Sequence, residues 1–115
     1  MAIKLNKTAF NNALKLIQAG EVEKFDSNWN EEKPDANEIA NFLNTHSMEE
    51  YGLWFLGKND QFKENTKEHY VYPYGDLKEV QKSALIDTQK QAQKNGDHEV
   101  LNSIRQLLDM INKSK

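Results

Sequence analysis

The chain has 115 residues, no cysteine and a formal net charge of −3. This length predicts one globular domain over residues 1–115. The lack of cysteine excludes disulfides, thiolate nucleophiles and cysteine-ligated zinc, and the mild negative charge argues against non-specific binding to nucleic-acid backbones. The N-terminus has no signal-peptide pattern and no segment reaches the ~20 apolar residues of a membrane span, so we expect a soluble, cytoplasmic protein.

The first periodic segment, TAFNNALKLIQAG, predicts a helix. Thr8 is expected to cap its start, and Gly20 can take the left-handed conformation just past its end. The stripe on its apolar side consists of Ala9, Phe10, Ala13, Leu14 and Ile17.

A polar segment follows, and we expect a loop that is held to the body by Val22, Phe25 and Trp29. Trp29 stands in polar surroundings, which makes it the aromatic side chain best suited to contact a partner.

Two D/S-x-x-E patterns then indicate helix starts. Asp35 and Glu38 form one potential capping box just after Pro34, and Ser47 and Glu50 form another. The region is therefore either two short helices or one bent helix. The acidic cluster Glu31, Glu32, Asp35 and Glu38 is interpreted as a solvated helix start, because nothing in it resembles a calcium loop.

Two aromatic segments favour strands. YGLWFLG is a short apolar run between Gly52 and Gly57, which periodicity alone cannot assign, but its glycines and aromatic residues favour a strand. HYVYPYGD alternates, so Tyr70, Tyr72 and Tyr74 are expected to point to one side. Since Pro73 cannot donate a ladder hydrogen bond, we expect an edge strand or the last rung of a strand. The two segments should pair as an antiparallel ribbon.

The C-terminal part predicts two helices in an antiparallel hairpin. Asp76 and Glu79 suggest a third capping box, Asn95-Gly96 ends the first helix and Asp97 caps the second. The ribbon must lie against these helices, because a lone two-stranded ribbon is marginal in water. The apolar faces are Leu77, Val80, Ala84, Leu85, Thr88 and Ala92, then Val100, Leu101, Ile104, Leu107, Leu108 and Ile111. The predicted fold class is α+β, mainly α, with about four helices and a two-stranded ribbon.

The three tyrosines have two interpretations. They could form a platform that stacks bases or contacts a protein, with Lys67 and Lys78 beside it. The favoured interpretation is that their rings cover the helices while their hydroxyls reach water or backbone groups. The neighbouring charges are balanced, which favours a protein partner over nucleic acid.

No pattern for a cofactor or a metal is present. The histidines His46, His69 and His98 do not have the spacing of metal ligands, and neither common phosphate-binding glycine motif occurs. His69 could act in a hydrolase, but no nucleophile motif such as G-x-S-x-G accompanies it. We therefore expect no cofactor, no metal and no catalytic residue.

The patterns W-x-L-G at 54–57 and Y-x-x-P-x-G-D at 70–76, followed by two helices, resemble a small bacterial domain of unassigned function. Similar stretches occur in small hypothetical proteins, cyanobacterial ones among them, and in segments encoded near phage-type capsid and prohead proteins. The resemblance implies a self-contained unit and supplies no catalytic residues.

The expected function is a non-catalytic protein-interaction module. Its predicted binding residues are Trp29, Tyr70, Tyr72, Tyr74, Lys67 and Lys78. The alternatives are a nucleic-acid-associated accessory protein of phage type and a small hydrolase that uses His69.

Overall fold

A computed structural model of the protein describes residues 3–23 and 29–113, so the expected role of Phe25 lies outside the described residues. The strands and helices follow in chain order with one 3₁₀ turn between β3 and β4. They are β1 Ile3–Leu5, α1 Lys7–Gln18, β2 Val22–Glu23, α2 Trp29–Glu32, α3 Ala36–Thr45, α4 Met48–Gly52, β3 Phe55–Asn59, the 3₁₀ turn Lys67–His69, β4 Tyr70–Pro73, β5 Val80–Gln81, α5 Lys82–Asn95 and α6 His98–Lys113.

The predicted fold class is confirmed. Within the described part of the chain, α1, α3, α5 and α6 each have ten or more residues, and two shorter helices join them. Helices α5 and α6 form the expected hairpin. Gly96 has a φ of 76° and forms the left-handed end of α5, which is a conformation that glycine adopts without steric cost.

Helix α1 begins differently from the prediction. Asn6, not Thr8, is the cap, and its side chain accepts a hydrogen bond from the Ala9 amide. The buried Asn6 amide also donates to the carbonyls of Gly52 and Phe55, each at 3.0 Å. One side chain therefore joins the start of α1 to the end of α4 and the start of β3.

The region from 35 to 52 contains two helices. The Asp35–Glu38 and Ser47–Glu50 capping boxes both form, with each side chain bonded to the other's backbone amide. Each box satisfies amides that a helix start leaves unpaired, so α3 and α4 are separate helices with a break at His46.

The sheet has three antiparallel strands in the order β1-β3-β4. The expected pairing of β3 with β4 is present, with Phe55 opposite Pro73 and Gly57 opposite Val71. The third strand, β1, was not predicted, and it pairs Leu5 with Gly57. A second, parallel pair joins β2 to β5.

The predicted capping box at Asp76 and Glu79 is wrong. Asp76 Oδ1 does accept hydrogen bonds from the amides of Lys78 and Glu79, at 3.1 and 3.0 Å. These bonds close a loop over residues 76–79, and α5 begins only at Lys82. An aspartate bonds the amides two and three residues ahead in turns as well as in helix starts, so the pattern alone did not separate the two.

The core lies between the sheet, α1 and the α5–α6 hairpin. The apolar stripe of α6 supplies much of it, as predicted. The core residues are Ala9, Ala13, Ile17, Leu56, Tyr72, Tyr74, Val80, Leu85, Ala92, Val100, Leu101, Ile104, Leu107 and Ile111.

Candidate functional site: a half-covered helix and an acidic cleft

The three tyrosines do not form an outward face. Tyr72 and Tyr74 are 5% and 0% exposed, and only Tyr70 is half-buried. Tyr72 has a φ of 63°, which interrupts the strand alternation on which the expected common direction depended. Tyr70 packs against Phe55, whereas Tyr72 and Tyr74 join the core.

Tyr72 fixes the turn between α5 and α6. Its hydroxyl donates to Asp97 Oδ2 and accepts from Asn95 Nδ2 at 3.0 Å. Burial, and then the hydrogen bond to Asp97, raise the pKa of Tyr72. The ring is therefore a structural link between β4 and the hairpin.

Tyr74 is a core residue with a fully satisfied hydroxyl. It donates to the carbonyl of Leu53 at 2.5 Å and accepts from Asn12 Nδ2 at 2.8 Å. Its ring stacks on Trp54 with centroids 5.5 Å apart. Burial raises the pKa of Tyr74 well above its usual value.

The other predicted binding residues are dispersed. Trp29 begins α2 and is 5% exposed, so it is held to the body as expected but is not available to contact a partner. Lys67 lies exposed in the 3₁₀ turn, and Lys78 lies exposed in the 76–79 loop. Trp29 was misjudged because the short helix α2, which packs against α5, turns a ring from a polar segment toward the body.

The α3 helix is unusually uncovered. It is amphipathic, yet none of its ten residues is buried, and Ile39, Phe42 and Leu43 are half-buried. The Phe42 ring stacks on His46 with centroids 4.1 Å apart and lies tilted against the buried Tyr51 of α4 at 6.5 Å. A helix of a globular protein usually covers such a stripe with its own core, so this face has apolar area left for a partner.

A groove with one cavity lined mostly by apolar residues and one lined mostly by polar residues continues this face. A cavity of about 150 Å³ has Trp29, Pro34 and Ile39 in its wall, and a second of about 320 Å³ lies between α3 and the 76–79 loop. Leu77 lines both cavities and so forms the ridge between them. The remaining lining is Lys33, Tyr51, Phe55, Pro73 and Gly75 in the first, and Glu38, Asn41, Phe42, Thr45, Asp76 and Lys78 in the second.

Leu77 has a φ of 71°, in the left-handed region that leucine rarely adopts. The Asp76 turn and the bridge between Gly75 and Val80 hold it there. Non-glycine residues in this region concentrate at binding sites, where the surrounding structure maintains the strain. We define the α3 groove as Pro34, Ile39, Phe42 and Leu77.

The segment that carries α3 is acidic. Residues 29–45 contain four carboxylates and one lysine, which gives them a formal charge of −3. The carboxylates are Glu31, Glu32, Asp35 and Glu38, and the lysine is Lys33. The walls of the two cavities themselves carry two lysines, Lys33 and Lys78, and two carboxylates, Glu38 and Asp76.

A separate cleft of about 410 Å³ opens beside His69, which is 2% exposed. His69 Nδ1 lies 2.9 Å from the carbonyl oxygens of both Asn59 and Phe62. Because carbonyl oxygens only accept hydrogen bonds, Nδ1 must carry the proton. The lining is Asn6, Thr8, Ser47, Glu49, Glu50, Gly52, Leu53, Lys58, Glu64, His69 and Tyr70.

Tyr70 stands at this cleft, where its ring meets His69 edge-on with centroids 4.9 Å apart. Its pKa is raised by burial and then by the negative charges of Glu64 and Glu49. The two carboxylates therefore lie close enough to the phenol to act on it electrostatically. Of the predicted binding residues, Tyr70 is the one in this cleft.

The α3 groove and the carbonyl contacts of His69 were not among the features predicted from the sequence. A signal for the groove was present: a short apolar stripe flanked by two capping boxes and by many carboxylates. Across residues 3–23 and 29–113, no helix combines the length and apolar character needed to cross a bilayer, and no three acidic or histidine side chains are placed to hold a metal ion.

No protein-family model, curated protein or solved structure was found to match the chain. The resemblance to a small bacterial domain stays a prediction from the sequence.

Proposed function

We propose that the protein is a non-catalytic interaction module that binds another protein through the α3 groove. The class of function is the one expected from the sequence, but the contact surface lies on α3 and not on the tyrosines. The observation that carries it is a ten-residue amphipathic helix with no buried residue. Docking of a partner on Ile39, Phe42 and Leu43 would remove their remaining apolar area from water, which stabilises a complex by about 25 cal/mol per Å² before the costs of association.

The occupant that fits is a partner segment with apolar residues on one side and lysine or arginine on the other. The groove supplies the apolar contact, and the −3 charge of residues 29–45 attracts basic side chains. An amphipathic helix laid in a groove is a recurrent mode of peptide recognition. Leu77, held in its strained conformation, forms a fixed ridge against which such a segment can register.

The alternative of nucleic-acid binding has lost its main support. Its platform required Tyr70, Tyr72 and Tyr74 side by side, and two of these rings are in the core. The acidic segment at residues 29–45 also repels phosphate.

The hydrolase alternative retains a suitably oriented histidine but lacks a nucleophile beside it. Ser47, in the same cleft, is engaged with Glu50 in a capping box. In the part of the chain that the structure describes, neither Ser47 nor Thr8 forms a hydrogen bond to His69.

The test uses a synthetic helical peptide with leucines on one face and lysines on the other, measured by fluorescence anisotropy. We expect saturable binding that weakens as salt is added, and weaker binding of a matched peptide in which glutamates replace the lysines. Equal affinity for the two peptides would contradict the role of the acidic surface.

A matched pair of variants locates the binding surface. Phe42→Glu places a charge in the groove, whereas Phe62→Glu places the same charge on an exposed phenylalanine in the loop between β3 and the 3₁₀ turn. Phe42→Glu should reduce peptide affinity at least about tenfold, the usual effect of losing an interface anchor, and Phe62→Glu should not. Equal losses in both variants would overturn the proposal.

A further inference from the structure

We propose that Asn95 is a site of spontaneous deamidation, and that this modification loosens the turn between α5 and α6. Asn95-Gly96 is the one asparagine–glycine pair in the sequence. Both residues are exposed, so water reaches the turn. The site is distinct from the α3 groove, and the reaction requires only the protein and water.

The reaction joins two groups of this pair. The backbone nitrogen of Gly96 attacks the side-chain carbonyl carbon of Asn95 and gives up its proton. The bond from that carbon to Nδ2 breaks, and the nitrogen leaves with the proton as ammonia. Water then opens the cyclic imide at either of its carbonyls, which gives aspartate or isoaspartate. Glycine in the second position favours the attack, because it has no Cβ to hinder the approach.

Both reacting groups are held by the fold. The Gly96 amide donates to the carbonyls of Ala92 and Gln93 as the cap of α5. The Asn95 side chain donates from Nδ2 to the Tyr72 hydroxyl at 3.0 Å. The attack therefore requires that the turn open and that these hydrogen bonds break. Native proteins open locally in this way, so the reaction rate follows the population of the opened turn.

The product places a negative charge against a buried pair. The Tyr72 hydroxyl donates its proton to Asp97 Oδ2 and accepts from the Asn95 amide. An ionised aspartate at position 95 has no proton to donate, so its carboxylate faces the phenol oxygen and repels the Asp97 carboxylate. Tyr72 and Asp97 are 5% and 7% exposed, and water and salt screen charges poorly there. The modification therefore weakens the link between β4 and the hairpin.

The experiment is incubation of the full chain in mildly alkaline buffer, with and without concentrated guanidinium chloride. Peptide mass spectrometry measures the conversion of Asn95 and separates the aspartate product from the isoaspartate product. We expect conversion under both conditions, with a rate at least about tenfold lower in the folded protein, because only opened turns react. Absence of conversion in either condition, or equal rates in the two, would overturn the proposal.

A pair of tyrosine variants tests the restraint. Tyr72→Phe removes the acceptor of the Asn95 amide and should raise the rate in the folded protein by about two- to tenfold, the factor that one hydrogen bond contributes. Tyr70→Phe removes a phenol hydroxyl outside the hairpin link and should leave the rate unchanged. Equal rates in the two variants would remove Tyr72 from the proposal and overturn it.

A second pair tests the consequence and does not depend on the folding of Tyr72→Phe. Asn95→Asp installs the aspartate product, and Gln93→Glu adds the same charge on an exposed residue at the same end of α5. The unfavourable charge at a helix C-terminus is common to both variants. Asn95→Asp should therefore lower the folding equilibrium constant at least about fivefold more than Gln93→Glu does, measured by urea unfolding. Equal losses in the two variants would contradict the loosening of the turn.

Discussion

Replacing Tyr74 with phenylalanine tests whether this tyrosine is a structural residue. The ring keeps its stack on Trp54, and the loss is confined to the hydroxyl, which donates to the Leu53 carbonyl at 2.5 Å and accepts from Asn12 at 2.8 Å. An unsatisfied buried partner costs about 1–3 kcal/mol. The Asn12 side chain is half-buried and can bond to water instead, so most of the cost comes from the Leu53 carbonyl that is left without a donor. We expect the free energy of unfolding to fall by about 2 kcal/mol.

The assay is urea unfolding followed by circular dichroism, with Tyr70→Phe as the matched control. The Tyr70 hydroxyl forms no hydrogen bond among the described residues, so its removal should change the free energy of unfolding by less than about 0.5 kcal/mol. Equal free energies of unfolding for the two variants would refute the reasoning that separates a core tyrosine from a surface one.

Three further predictions concern stability and binding. Asn6→Ala should lower the free energy of unfolding by about 2 kcal/mol or more, because it removes a helix cap and leaves two carbonyls without a donor. Thr8→Ala should leave the free energy of unfolding in urea nearly unchanged. A larger loss in Thr8→Ala than in Asn6→Ala would restore Thr8 as the cap. Leu77→Gly should change the free energy of unfolding by less than about 1 kcal/mol, because relief of the left-handed strain offsets the lost side-chain contacts. The same substitution should weaken binding of the lysine–leucine peptide. An unchanged peptide affinity would remove Leu77 from the binding site. The pKa of Tyr74 is raised by burial, so its contribution to stability is fully present below about pH 10 and is lost as pH rises toward its folded-state pKa. Between about pH 9 and pH 11, the free energy of unfolding should therefore fall less steeply in Tyr74→Phe than in the unsubstituted protein, by up to about 1.4 kcal/mol per pH unit. Identical slopes for the two proteins would contradict the burial of this hydroxyl.

The features that the sequence predicted correctly are governed by neighbouring residues. A capping box joins groups three residues apart, and an apolar stripe repeats every three or four residues, so both can be recognised in a short segment. The boxes at Asp35 and Ser47, the left-handed Gly96 and the stripe of α6 all belong to this class.

The features that were missed depend on distant contacts or on backbone conformation. Strand β1 is recognisable only through its pairing with β3, about fifty residues away in the chain. The left-handed conformation of Tyr72 breaks the strand alternation that the residue types suggest. The left-handed conformation of Leu77 breaks the predicted helical stripe in the same way. The orientation of His69 depends on two backbone carbonyls, which no sequence pattern displays.

Chemical-shift mapping of the lysine–leucine peptide on the ¹⁵N-labelled protein tests the central claim most directly. We predict that the amides of α3 and of the 76–79 loop shift together and saturate at one dissociation constant, while those on the exposed side of α6 stay in place. Shifts centred on α6 or on the β1 edge, with α3 unmoved, would contradict the assignment of the α3 groove as the contact surface.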